Sequence, residues 1–319
     1  MNEILEKIGE LGLVPVIKIE RAGDAVKLGR ALVEGELPVA EVTFRTDAAV
    51  EAIGTLTREL PELLVGAGTV LSVDQAERAA AAGARFIVSP GFNPKVVDWC
   101  LDHDIPVTPG INSPSQLEMA LERELPAVKF FPAEASGGLQ MIKAMAAPYG
   151  GVKFIPTGGI NQSNLQSYLS YDRILACGGS WMVKGDLISA GKFKEITGLV
   201  RSAVAAVHGF EIARVGLPTG SAEKAAETAQ LLSWLFFWPV GEIGGAPLAG
   251  SGVELLGDGS ADSRGAIFIA TNNLRRASAY LKRKGIEAVS DSPAGQDSRE
   301  TEIVLNLEIH GYTVHLLQK

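Results

Sequence analysis

The sequence predicts an α/β protein: a compact (β/α)8 barrel over residues 1–207, then a small α+β domain over residues 208–319 made of duplicated β-α-β modules. Three observations carry that prediction. Through the first two thirds of the chain a short apolar run, a turn rich in Gly, Pro or Thr, and a helical stretch follow one another repeatedly. Continuous apolar strands alternating with helices form a parallel sheet covered on its outside. The composition then shifts after Val207, where His208-Gly209 forms a seam. Beyond the seam two similar modules of strand, helix and short strands follow, an internal duplication of roughly fifty residues each.

Taken in order, the strand candidates of the first domain are residues 14–17, 40–44, 63–69, 85–91, 107–110, 127–132, 153–159 and 174–179. A helix over residues 24–33 follows the first, helices rich in Ala, Glu and Leu cover residues 73–82 and 115–122, and the last barrel helix spans residues 193–206. Eight such units make a (β/α)8 barrel, whose active sites gather at the C-terminal ends of the strands. An open doubly wound sheet is the alternative, but its glycine fingerprint is missing: after Gly66-Ala67-Gly68, Leu71 stands where the third glycine belongs. In the second domain the first module reads as a strand at 211–217, an amphipathic helix at 222–238 and short strands such as 252–256. The second reads as a strand at 265–270, a helix at 274–284, residues 286–289 and a hairpin over 302–317.

Composition narrows the classes. Hydrophobic content of 46% with 21% charged argues against long disorder, and the formal net charge of -8 argues against general affinity for nucleic acid or membrane. An anionic ligand therefore needs a local pocket of amides or placed cations. Cys100 and Cys177 have no metal-like or redox-like spacing, and His103 and His208 form no ligand cluster, so no metal and no cofactor is expected. Residues 1–7 have neither the basic nor the apolar stretch of a targeting segment. The greasiest run, residues 231–238, is far shorter than the ~20 residues that span a bilayer and is expected to be one buried helix. The expected location is the cytoplasm.

The chemistry centres on Lys129-Phe130-Phe131-Pro132-Ala133-Glu134, which places one lysine at the end of a buried strand. Burial without a partner disfavours the ammonium, and a neutral amine forms a Schiff base with a carbonyl substrate. The alternative is a lysine snorkelling to the surface. Such chemistry needs a proton shuttle, and Glu41, in the apolar run Val42-Thr43-Phe44, is the leading candidate, or else it pairs with Arg45. Glu134 ranks second because its context suits a helix N-terminus. Arg45 and Thr69 suit a carboxylate, with Gly66-Ala67-Gly68 read as a turn that brings amides to a ligand, although Thr69 also suits a strand cap. Gly158-Gly159 and Gly178-Gly179-Ser180 read as glycine turns that open helices and seat a phosphate, or simply as tight turns.

These motifs occur in one order: Glu41-Val42-Thr43-Phe44-Arg45-Thr46, Gly66-Ala67-Gly68-Thr69-Val70, Ser89-Pro90-Gly91, the Lys129 run, Pro156-Thr157-Gly158-Gly159-Ile160 and Gly178-Gly179-Ser180-Trp181. Over about residues 10–205 the chain closely resembles the bacterial 2-dehydro-3-deoxy-6-phosphogluconate (KDPG) aldolases, which also act on 4-hydroxy-2-oxoglutarate (KHG). The resemblance implies a class I aldolase of 2-oxo acids with Lys129 as Schiff-base lysine and Glu41 as general acid/base. It implies that Arg45 and Thr69 hold the pyruvate carboxylate, that Pro90 and Phe131 line the pocket, and that Gly158, Gly159 and Ser180 hold the phosphate. A homotrimer is also implied. Lys18 departs from the arginine that many relatives carry in the first strand. A non-catalytic metabolite-binding or regulatory protein is the competing class. The second domain resembles the glyoxalase/vicinal-oxygen-chelate fold, and it is expected to be metal-free: Glu308 and His310 share a strand face, while Ala213-Arg214-Val215 offers no histidine.

Overall fold

The computed structural model describes residues 1–257, 264–289 and 302–319, and the chain divides into two compact units, Met1–Val207 and His208–Lys319. The first is an α/β unit with a parallel sheet. Its strands are β1 (Leu13–Ile17), β2 (Val39–Thr43), β3 (Leu64–Gly68), β4 (Ile87–Val88), β5 (Val107–Thr108), β6 (Gly110–Ile111), β7 (Ala127–Phe130), β8 (Lys153–Pro156) and β9 (Cys177–Gly179). They pair in the order β5-β4-β3-β2-β1-β9 and β6-β7-β8, and single parallel bridges at Phe154–Ile174 and Thr157–Gly178 link β8 to the segment of β9. The fifth predicted strand is split, because Pro109 lacks the N–H that a parallel ladder requires between β5 and β6.

The apolar runs become strands because both of their faces are covered. Every residue of β1, β2 and β3 is buried, Glu41 and Thr43 included. Some of the helices that follow the strands start where a side chain satisfies a free backbone donor. Ser72 Oγ accepts from Gln75 N–H, and Ser113 Oγ accepts from Gln116 N–H ahead of Pro114 at the first helical turn. Each of these helices buries only its small or aliphatic face, for example Ala76 and Ala79.

The second unit is a seven-stranded sheet of β10 (Glu211–Pro218), β11 (Val240–Ile243), β12 (Ala246–Ala249), β13 (Val253–Leu256), β14 (Gly265–Thr271), β15 (Glu302–Ile309) and β16 (Tyr312–Gln318). Its order is β11-β12-β13-β10-β14-β16-β15. The duplication is visible in the pairing. In each half the strand before the helix pairs in parallel with the last strand of the same half, β10 with β13 and β14 with β16, and antiparallel neighbours follow outward. The first strands of the two halves, β10 and β14, join antiparallel at the centre. Residues 286–289 form a single antiparallel bridge, Ala288 to Leu305, where the first half has all of β11.

Two expectations are corrected. Residues 231–238 do not form one buried helix: the helix Ala222–Phe236 packs through Ala225 and Ala229, one turn apart and earlier in the sequence, and its aromatic end stands in water, Trp234 75% and Phe237 91% exposed. His310 shares no strand face with Glu308, because β15 ends at Ile309 and His310-Gly311 form the left-handed hairpin turn, φ 50° and 86°. Near the unit boundary His208 stacks against Phe210 and Tyr280, and burial, with Arg283 and Arg276 nearby, pushes its imidazole down to about 4. Among the described residues no helix is long and apolar enough to cross a membrane.

Candidate active site

Lys129 sits on β7 between Gly110 and Ile155 of its neighbours, and Glu41 sits on β2 between Val16 and Gly66. Both side chains are almost wholly buried, 6% and 4% exposed, and Lys129 Nζ donates to Glu41 Oε1 at 3.3 Å. The lysine therefore has a partner, contrary to the expectation of an unpaired amine, and that partner is the candidate proton shuttle. The alternative pairing of Glu41 with Arg45 does not form. The space for the carboxylate comes from Gly68, where a Cβ would lie 2.2 Å from Glu41 Oε1.

A cavity of about 600 Å³ lies beyond the strand ends that carry the pair, lined by their neighbours and not by Lys129 or Glu41 themselves. Because side chains two apart on a strand share a face, Glu41 points to the same side as Thr43, and Lys129 to the same side as Phe131; both Thr43 and Phe131 line the cavity. The Phe131 ring centroid is 5.3 Å from Lys129 Nζ. Arg45, Gly158, Gly159 and Ser180 also line the cavity. Thr69 and Pro90 do not, but stand at adjacent strand ends. Thr69 follows β3 with φ 56°, a conformation seldom held by a β-branched residue, and Phe44 N–H donates to Gly68 O at 2.8 Å, tying the Arg45 and Thr69 segments together. The Pro90 carbonyl lies against Gly110, the register partner of Lys129, where a Cβ would come within 2.1 Å of it.

The glycines act differently from the sequence reading at two places. Gly66 and Gly68 are strand residues that admit the Phe86 ring and the Glu41 carboxylate, so they form no turn. Gly178 and Gly179 belong to β9 and make room for Thr157 Oγ1 and the Trp181 ring, so they open no helix. Gly158 and Gly159 do form the expected left-handed turn, φ 98° and 85°. That turn is braced from outside. Glu134 N–H donates to Gly158 O at 3.0 Å, the Glu134 side chain fills the space a Cβ on Gly159 would take, and the Tyr168 hydroxyl donates to Glu134 Oε1. Burial, and then this bond, push the Tyr168 phenol up. Glu134 begins a three-residue 3₁₀ turn and not a longer helix.

Three residues of the site were given no role by the sequence: Thr157, a polar residue at a strand end, and Trp181 and Lys184, which were not singled out at all. Thr157 Oγ1 and Trp181 Nε1 are buried in the lining and, among the described residues, have no hydrogen-bond partner. A buried polar atom left unpaired costs free energy until a ligand or water meets it. Lys184 lines the same cavity, exposed and without an ion pair among the described residues, whereas Lys18 is bound to Glu20 at 2.7 Å. The charged lining of the cavity is thus Lys18, Arg45 and Lys184, with no carboxylate. In a chain of net charge -8 this is a local positive well. Among the described residues no group of three His, Cys, Asp or Glu has metal-site geometry.

The model of the family described as "KDPG and KHG aldolase" matches residues 4–199. The 2-dehydro-3-deoxy-phosphogluconate aldolase of Treponema pallidum is 52% identical over 199 residues, covering 62% of this chain and 95% of that protein. The KHG/KDPG aldolase of Escherichia coli K12 is 43% identical over 192 residues, covering 60% and 90%. Among solved structures, the KDPG aldolase of Legionella pneumophila, with pyruvate captured as a covalent carbinolamine, superposes with a TM-score of 0.61 at 38% identity, covering 62% of this chain and 97% of that one.

Proposed function

The chain belongs to the KDPG and KHG aldolase family, and from that membership we propose how its first unit carries out the reaction. It is a Schiff-base aldehyde-lyase of 2-oxo acids, cleaving KDPG to pyruvate and glyceraldehyde 3-phosphate, KHG to pyruvate and glyoxylate, or both. The observation that carries the assignment is the buried Lys129–Glu41 pair next to a cavity whose charged lining is wholly cationic.

Lys129 Nζ attacks the C2 carbonyl carbon, and the carbinolamine loses water to leave a protonated imine, an electron sink beside C3. Glu41, 3.3 Å from the amine, takes and returns protons: first for the loss of water, then from the C4 hydroxyl. The C3–C4 bond breaks, its electrons pass into the enamine, and the aldehyde leaves. Protonation of C3 and hydrolysis of the imine then release pyruvate and the free amine. Arg45 and Thr69 hold the carboxylate, and Pro90 and Phe131 pack beside the reacting carbons. Gly158, Gly159 and Ser180 receive the phosphate, with the unpaired Thr157 hydroxyl and Trp181 N–H as further donors and Lys184 as its cation. The glyoxylate-yielding substrate has no phosphate and does not use this end.

The parallel strands of the first unit make a closed (β/α)8 barrel, a reading supported by the bridges of β8 to the β9 segment. The working enzyme is a cytoplasmic homotrimer through that barrel. The second unit is a metal-free relative of the glyoxalase/vicinal-oxygen-chelate fold, a reading supported by the matched strand pairing of its two halves.

Borohydride reduction in the presence of pyruvate tests the mechanism: the mass of the adduct maps to Lys129, and Lys129→Ala loses at least ~10⁴-fold in kcat/KM. An adduct elsewhere, or retained activity, removes the assignment. Pyruvate binding without turnover by the unaltered protein restores the metabolite-binding reading.

A further inference from the structure

The second unit carries a surface that the aldolase chemistry does not use. Leu231, Trp234, Leu235, Phe236, Phe237 and Trp238 crowd the end of the helix Ala222–Phe236 and the turn after it, and each is exposed. Val240 continues the patch into β11. Phe237 adopts a left-handed backbone conformation, φ 58°, rarely held by a bulky residue, and so presents its ring almost entirely to water. Monomers rarely leave a contiguous apolar patch of this size uncovered.

Four features select the occupant. From Thr228 to Gly241 the sequence has no charged side chain, so the aromatic turn specifies no charged partner and meets its own likeness without juxtaposing charges, the nearest carboxylate in sequence being Glu242 of β11. β11 is the last strand of its sheet, and its outer edge has no strand neighbour among the described residues. Near this patch lies a hollow of about 200 Å³ lined by Ala226, Ala229, Val240 and Pro247, with Gln230 and Glu242 as its polar members, while a cavity of ~150 Å³ already admits benzene. Knob and hollow on one surface are what an isologous two-fold contact requires. Since a large aromatic side chain covers ~150–250 Å², the exposed fractions sum to roughly 700–800 Å², about one partner's share of a standard interface.

We propose that this surface is a two-fold interface with a second copy of the chain, the aromatic turn of each copy seated in the hollow of the other and the β11 edges side by side. The test is the solution mass of the full chain by sedimentation equilibrium across a dilution series. The unaltered protein shows an assembly larger than the barrel oligomer that dissociates to that oligomer on dilution, with tryptophan emission moving to the red. The variant Trp234→Glu/Phe237→Glu shows only the mass of the barrel oligomer at every concentration with aldolase kcat unchanged, while Trp234→Phe keeps the larger assembly. Far-UV circular dichroism checks that the paired substitution leaves the fold intact. Equal masses for the unaltered and doubly substituted chains overturn the proposal. So does an unaltered chain of constant mass that sediments with lipid vesicles or has a protected Trp234, which assigns the patch to a membrane or to the chain's own first unit.

Discussion

Among the described residues each unit buries one acid–base pair, and the two pairs are built differently. Lys129 and Glu41 touch at 3.3 Å through a single contact, next to an open cavity. In the second unit Arg214 Nε donates to Glu254 Oε2 at 2.5 Å, side chains 14% and 10% exposed, and the guanidinium carbon sits 3.9 Å from the centroid of the Phe268 ring. An arginine keeps its proton under all ordinary conditions and gains from stacking on an aromatic face. A lysine can give up its proton and become a nucleophile. The close, stacked pair fixes three strands, β10, β13 and β14, whereas the loose pair leaves an amine able to turn to an incoming carbonyl. Depth of burial alone does not separate a structural charge from a reactive one; the slack in the contact and the adjoining space do.

The largest break in that contrast, after removal of Lys129 itself, is Glu41→Gln. Losing the proton shuttle while keeping shape and hydrogen bonding lowers kcat by roughly 10²–10⁴-fold. Borohydride still traps pyruvate on Lys129, more slowly, because the amine remains. Loss of trapping together with loss of the fold in thermal melts would make the pair structural after all, like that of the second unit.

The converse change is Arg214→Met. It leaves Glu254 buried without its cation, which costs about 3–5 kcal/mol of stability in the second unit. A separate, lowered melting transition measures it, while kcat for both aldolase substrates stays within twofold. If kcat falls by tenfold or more, the second pair is coupled to catalysis and the division of labour between the pairs fails.

Much of this was legible beforehand. Lys129 and Glu41 stand out because charges are rare inside apolar strand runs, and the strands follow from those runs. Their pairing was not legible: 88 residues separate them, and β2 and β7 are not neighbours in the sheet, so only the tertiary fold brings the two side chains together. Glycine misled at Gly68 and Gly178 because the same residue type signals a left-handed turn and a close side-chain approach, and sequence does not distinguish the two. Periodicity found the helix that ends at Phe236 but not which stretch of it is covered. Thr157 was legible as a polar strand-end residue, but its role and that of Trp181 were not, because an unpaired buried donor is a property of surroundings, not of residue type.

The smallest expected effect sharpens the substrate question that the reactive pair leaves open. In the proposed mechanism both substrates meet Lys129 and Glu41 identically up to C4, so discrimination falls to the rest of the cavity. There Lys184 is exposed and has no ion pair among the described residues, while Lys18 is held by Glu20. A unit charge pair at 4 Å in water is worth about 1 kcal/mol, so a cation facing a phosphate dianion contributes roughly 2 kcal/mol, less at high salt. Lys184→Ala therefore raises KM for the phosphorylated substrate by roughly tenfold, with kcat held, and leaves KM for the unphosphorylated one unchanged. The difference shrinks as ionic strength rises. Equal changes for both substrates would place Lys184 outside the phosphate end and hand its discrimination to the neutral donors Thr157 and Trp181.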